Sequence, residues 1–117
     1  MRGDRLRLMD ILDAIAVIER DTPATRQEFD SQPPIRSHIL LHAQIIGEAA
    51  SKLSQSIRDQ NPQVPWKPIM RMRNVIAHVY FGIDWNEVWQ VAVRDVAILR
   101  PQIQVILAGL PPNPAKP

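Results

Sequence analysis

Apolar residues recur at three- and four-residue intervals along nearly the whole of this 117-residue chain. That period selects amphipathic helices over strands. From Arg5 to about Arg20, Leu8, Leu12, Ile15 and Glu19 keep the spacing, with Asp4 as the expected N-cap. Thr25 followed by Glu28 has capping-box spacing and predicts a short helix through Phe29. Ser31, ahead of Pro33 and Pro34, opens a long helix in which Ile35, Ile39, His42, Ile46, Ala49, Leu53 and Ile57 trace one side as far as Asn61-Pro62. Small residues at its centre, Gly47, Ala49, Ala50 and Ser51, would let another helix approach closely, at the propensity cost of a mid-helix glycine. A further helix starts near Trp66 after a proline-rich turn through Val64 and Pro65. Asp84, with Glu87 three residues on, caps a last long helix whose apolar side is Val88, Val91, Val96, Leu99, Ile103 and Ile106. Pro101 is expected to kink or restart that helix and Gly109 to end it. Only Val79 to Ile83 hints at extended structure, and it is short and lacks partner strands. The expected fold is all-α, an antiparallel up-and-down helical bundle of four to five helices.

A chain of this length, 45% hydrophobic and 22% charged, can bury one modest core and no second one. A single helical domain over 1–109 is expected, followed by a proline-rich disordered tail over 110–117. The absence of cysteine excludes a disulfide scaffold and thiol chemistry. No apolar h-region follows the Met-Arg-Gly-Asp start, and no apolar run approaches the roughly 18 residues of a membrane span. These features lead to the expectation of a cytoplasmic protein.

A net charge of +2 does not announce nucleic acid, since 14 Lys and Arg are interleaved with 12 Asp and Glu. The bias is local. Lys67, Arg71 and Arg73 fall in a stretch without an acid, shortly before Asn74, His78 and the single tyrosine, Tyr80. If RNA or a nucleotide binds, its phosphate would meet the protein there. On an unbroken helix Asn74 and His78 lie within about 40° of each other and Arg71 within about 20° of His78, whereas Arg73 is about 140° away. For Arg73 to meet His78 the backbone must loosen near Ala77, or the guanidinium must reach around. His38 and His42 are one helical turn apart without an acidic i+3 or i+4 partner in sequence, so a packing or surface role is expected and no metal site. Glu48 could pair with Arg73 or be an ordinary helix carboxylate. Trp66, Trp85 and Trp89 are expected to be core and interface anchors.

Arg73-Asn74, four residues to His78, then Val79 and Tyr80, resembles the R-x4-H-x-Y signature of the HEPN superfamily, and specifically its HepT-like branch. The likeness extends to Ile45-Ile46-Gly47-Glu48-Ala49-Ala50 with Lys52-Leu53, to Val64-Pro65-Trp66, to the run from Arg73 through Asp84, to Trp89 and to Arg100-Pro101. Together these span roughly residues 5 to 108. Two features depart from the pattern: Val79 is apolar where the family often has a polar or acidic residue, and Arg71 is an extra cation.

The resemblance implies a HEPN-like bundle and a metal-independent endoribonuclease without cofactor, the toxin of a type VII-like toxin–antitoxin pair. Its antitoxin would be a MntA-like nucleotidyltransferase that silences it by adding AMP to Tyr80. Arg73 and His78, with Asn74, would be catalytic, and a homodimer would bring two copies of them into one cleft. RNA would be the substrate; from this sequence alone, and not from the resemblance, Arg71 on the His78 face, Lys67 and Glu48 are further candidate contacts. The same cations would equally suit a non-catalytic, nucleotide-binding partner subunit of a minimal nucleotidyltransferase, or a buried hydrogen-bond network at a dimer seam.

Overall fold

The computed structural model describes residues 3–74 and 82–111, whose regular elements are all helical, with no strand among them. Helix α1 spans Asp4–Asp21, α2 Arg26–Ser31, α3 Pro33–Ser51, α4 Gln55–Gln60, α5 Trp66–Arg71, α6 Trp85–Gln90 and α7 Val96–Ala108. A π-helical turn over Val91–Asp95 joins α6 to α7, so Trp85 to Ala108 is one rod. The architecture is an all-α bundle in which α1 packs most extensively on α3 and next on α7, while α5 lies against α3.

One apolar core holds the elements together. Leu8, Ile11, Ile15 and Ile18 of α1 meet Ile39 and Ile46 of α3 and Val96 and Ile103 of the rod, all with essentially no exposed surface. Burying an aliphatic side chain of this size stabilises by roughly 1.5–3 kcal/mol, and this is the term that fixes three long helices side by side. The three-and-four spacing found Leu8 and Ile15 but not Ile11 and Ile18. Glu19, which shares that spacing, lies at the surface 3.5 Å from Arg100. Phe29 of α2 is fully buried, with the rings of Trp85 and Trp89 at 6.1 and 5.2 Å. Trp66 is 8% exposed and its indole N–H donates to the Asn61 carbonyl at 3.0 Å. All three tryptophans therefore serve as packing anchors.

Several boundaries differ from the expectation for physical reasons. Gly3, not Asp4, is the N-cap of α1. The Asp4 carboxylate instead accepts from the backbone N–H and hydroxyl of Ser54 at 2.8 and 2.7 Å. Ser54 in turn caps α4, so the long helix breaks after Ser51 instead of running to Asn61. Arg58 secures that break by donating to the Ala50 and Leu53 carbonyls at 3.2 and 2.7 Å. Ser31 ends α2, and Gln32 is the residue ahead of the paired prolines that open α3. Thr25 and Asp84 cap their helices as expected. Pro101 lies inside α7, and the irregularity sits earlier. Val91 and Val96 are both core residues five positions apart, which is one π turn, so the turn keeps them on a common face. Gly109 ends α7. The chain stays docked beyond it: Leu110 packs on the core, and Arg5 donates to the carbonyls of Leu110 and Pro111 at 3.3 and 2.8 Å. The expected extended end therefore does not begin at Leu110, and residues 112–117 lie outside the described residues.

Candidate functional site

Helix α5 ends in a tighter 3₁₀ turn over residues 72–74. In such a turn side chains three apart eclipse, which brings Asn74 towards the line of Arg71. Met72 points inward at 8% exposed, while Arg71, Arg73 and Asn74 are exposed. The buried methionine anchors the turn, and the polar groups on either side of it face solvent.

What holds this turn in place is a glycine on another helix. A β-carbon on Gly47 of α3 would fall on the backbone nitrogen of Arg73, 2.9 Å from the Ile69 carbonyl oxygen and 3.1 Å from the Met72 carbonyl carbon. The two backbones thus touch at the residue where the R-x4-H pattern begins. The small centre of α3 has the close neighbour that its composition implied.

The chain is held on the other side of the pattern as well. Asp84 accepts from the backbone N–H groups of Asn86 and Glu87 at 3.0 and 3.2 Å. The Arg36 guanidinium lies 4.2 Å over the Trp85 ring, and Arg26 donates to the Asn86 side chain at 2.8 Å. These contacts tie the start of α6 to α2 and α3. Sequence reasoning missed Arg26 and Arg36, whose partners lie some 50 to 60 positions away and leave no periodic signal. His78 and Tyr80, with Val75 to Phe81 around them, lie outside the described residues. The structure therefore describes the chain on both sides of the motif and brings Arg73 and Asn74 together with Arg71 at its start.

Among the described residues Arg73, Arg71 and Lys67 have no carboxylate partner, in contrast to Arg20, Arg26, Arg36, Lys52, Arg94 and Arg100. Glu48 does not pair with Arg73; it faces Lys52 at 3.7 Å, an exposed pair worth little. Beside Met72 a groove of about 480 Å³ opens between α5 and the rod, lined by Ile46, Ile69, Val91, Ile98 and Leu99 among others. Ile98 is 55% exposed at its edge.

His38 and His42 are drawn into another neighbourhood. His38 Nε2 lies 2.9 Å from Asp21, His42 Nδ1–H donates to the His38 carbonyl at 2.9 Å, and the two rings meet edge-on at 4.6 Å. No group of three or more His, Cys, Asp or Glu among the described residues is placed to hold a metal ion. The fork of bonds from Arg20, and then the bond to His38, hold the Asp21 carboxyl far below its ordinary value of 3.8. A carboxyl depressed in the folded state contributes stability above that ordinary value and loses it as the pH falls further. Asp21→Asn is therefore expected to flatten the acid limb of unfolding temperature against pH, followed from about pH 5 to about pH 2. An unchanged limb would show that Asp21 is no better paired in the folded chain than in the unfolded one.

Residues 11–106 match the family described as Ribonuclease HepT-like. A protein of Methanocaldococcus jannaschii named as a candidate RNase is 34% identical over 100 residues, 85% of this chain and 92% of its own length. A second protein of that organism, named as a gamma-glutamylcyclotransferase and candidate RNase, is 31% identical over 115 residues; these are 97% of this chain but 52% of that protein. The probable ribonuclease HepT of Thermococcus cleftensis is 29% identical over 100 residues, 85% of this chain and 91% of its own. No solved structure matches. The chain belongs to the HepT-like family of the HEPN superfamily. No helix among the described residues is long and apolar enough to cross a membrane.

Proposed function

We propose that this protein is a metal-independent endoribonuclease, the toxin of a toxin–antitoxin pair, with Arg73, Asn74 and His78 as its catalytic residues. The observation that carries the reading is Arg73, exposed and without a carboxylate partner among the described residues, in the middle of the 3₁₀ turn, beside Asn74 and with four residues between it and His78. Cleavage of RNA through its own 2′-hydroxyl needs a base for that proton, an acid for the leaving 5′-oxygen and positive charge on the crowded phosphorane. The imidazole of His78 can serve as either base or acid, and Arg73 offers a fixed fork of donors to phosphate. Asn74 orients the imidazole or the phosphate.

One chain supplies one such histidine. A two-fold dimer places a second Arg73 and His78 in the same cleft, one histidine as base and the other as acid. The apolar groove beside Met72 and the exposed Ile98 on its edge support association at this end of the bundle. The protein acts in the cytoplasm, through its single helical domain. A MntA-like nucleotidyltransferase silences it: the Tyr80 hydroxyl attacks the α-phosphate of ATP, AMP is attached and pyrophosphate leaves. A bulky anion two residues from His78 repels RNA phosphate.

The test is cleavage of end-labelled total tRNA by the purified protein in EDTA, with the intact mass of the same preparation. Cutting in EDTA supports the nuclease. No cutting by protein that carries no adduct on Tyr80 removes it, and leaves the unpaired cations as a nucleotide-binding surface of a partner subunit.

A further inference from the structure

The exposed cations of α5 extend away from Arg73 towards a second opening in the surface. Lys67 and Arg71 are four residues apart on this helix and so share a face, about 6 Å from each other along its axis. Both are exposed and neither has a carboxylate partner among the described residues. No acidic residue occurs anywhere from Gln60 to Ile83, so the segment has no intrinsic counter-charge. Next to Lys67 lies an open pocket of about 500 Å³ whose lining is apolar at Val64, Pro65, Trp66, Pro68 and Met70 and polar at Gln55, Arg58 and Asp59. Pro65 and Pro68 also line the groove beside Met72, so they form the ridge between the two.

We propose that this face of α5 is a track for single-stranded RNA. Lys67 and Arg71 hold neighbouring phosphates on the way to Arg73, and the pocket beside Lys67 receives an unstacked base. The proposal rests on the ribonuclease reading and adds how the strand is held outside the reacting phosphate. Cations one helical turn apart suit the spacing of successive phosphates in an extended strand, and among the described residues no carboxylate forms an ion pair with either, although Asp59 lines the same pocket as Lys67. The apolar walls accept the flat face of a base; Gln55 donates to the Asp59 carboxylate at 2.8 Å and accepts from Arg58 at 3.1 Å, and the remaining acceptor capacity of that carboxylate can meet the polar edge of the base. A duplex keeps its bases stacked and paired, so only a single strand can fill such a pocket. Charge with apolar surface beside it is the combination that single-strand binders use.

Binding is measured by fluorescence anisotropy of the full chain with a short labelled 2′-O-methyl RNA of mixed sequence, which cannot be cut through its own 2′-hydroxyl. The single strand is expected to bind more tightly than the same strand annealed to its complement. Lys67→Gln and Arg71→Gln each weaken binding by about three- to tenfold, and each lowers the slope of log affinity against log salt by about 0.7. Lys67→Arg, which keeps the charge, restores binding. Removing the base at one position of the strand costs about tenfold, the loss of one base contact, while other positions tolerate the change. Unchanged affinity and salt slope in both glutamine variants, equal binding of duplex, or indifference to every abasic position overturns the track. Cleavage of tRNA by the wild type in EDTA then decides separately whether the ribonuclease reading stands without it.

Discussion

His78→Ala is expected to lower the rate of RNA cleavage by about 10²–10⁴-fold, the range that a positioned general acid or base contributes. In a two-fold dimer the substitution removes the base and the acid together, so the loss falls at the upper end of that range. Arg73→Ala acts on the phosphorane instead, and a loss of about 10²–10³-fold is expected for removal of a donor aimed at developing charge. Its side chain is exposed and without an ion-pair partner among the described residues, so the unfolding temperature of Arg73→Ala stays within about 2 °C of the wild type, as for surface substitutions generally. The two measurements, rate and unfolding temperature, separate catalysis from a hydrogen-bond network at a dimer seam. If His78→Ala or Arg73→Ala lowers the unfolding temperature and the dimer content while RNA is still cut, these residues are structural.

Gly47→Ala is expected to destabilise the protein by about 2 kcal/mol, even though alanine is the better helix former by about 1 kcal/mol. The new methyl group meets backbone atoms of Arg73, Ile69 and Met72, and backbone cannot rotate aside as a side chain could. The clash is relieved only if the α5 turn withdraws from α3, which costs packing around Ile69 and Met72 and carries Arg73 with it. The unfolding temperature should fall by about 5–10 °C. Activity should fall further than stability explains, so that cleavage stays low at temperatures where Gly47→Ala is fully folded. Gly47→Ala with wild-type cleavage and an unchanged or raised unfolding temperature would show that the two backbones do not need this approach. Ser51→Ala, on the same helix and outside the contact, serves as the control.

The elements that were legible in the sequence are those whose cause is local. Thr25 and Asp84 cap helices through their own neighbours, and the pair Pro33-Pro34 opens α3 because a proline is tolerated in a first turn. The break after Ser51 was hidden because Leu53 and Ile57 keep the apolar phase of α3 across it, and what closes the break is Asp4, 50 residues away. Ser54 did carry a usable signal, a capping serine inside a helical pattern, but one that only the distant carboxylate makes decisive. The π turn left its mark as the step of five from Val91 to Val96, which a strict three-and-four reading absorbs without comment. At the site, the composition of α3 announced a close approach, and only the structure named Arg73 as the residue approached. Arg36 on Trp85 and Arg26 on Asn86 steady the far end of the motif through contacts that no spacing encodes. The pairing of Glu48 with Lys52 rather than Arg73 is of the opposite kind: the spacing of four was legible in the sequence, and the helix places the lysine one turn away.

The central claim is a particular chemistry, attack by the RNA's own 2′-hydroxyl with His78 moving the protons, and the ends of the products report on it most directly. Mass spectrometry of RNA cut by the wild type in EDTA is expected to find a 2′,3′-cyclic phosphate on one fragment and a 5′-hydroxyl on the other, with neither formed by His78→Ala. Products carrying a 3′-hydroxyl and a 5′-phosphate, or cyclic ends still produced at the wild-type rate by His78→Ala, would contradict it.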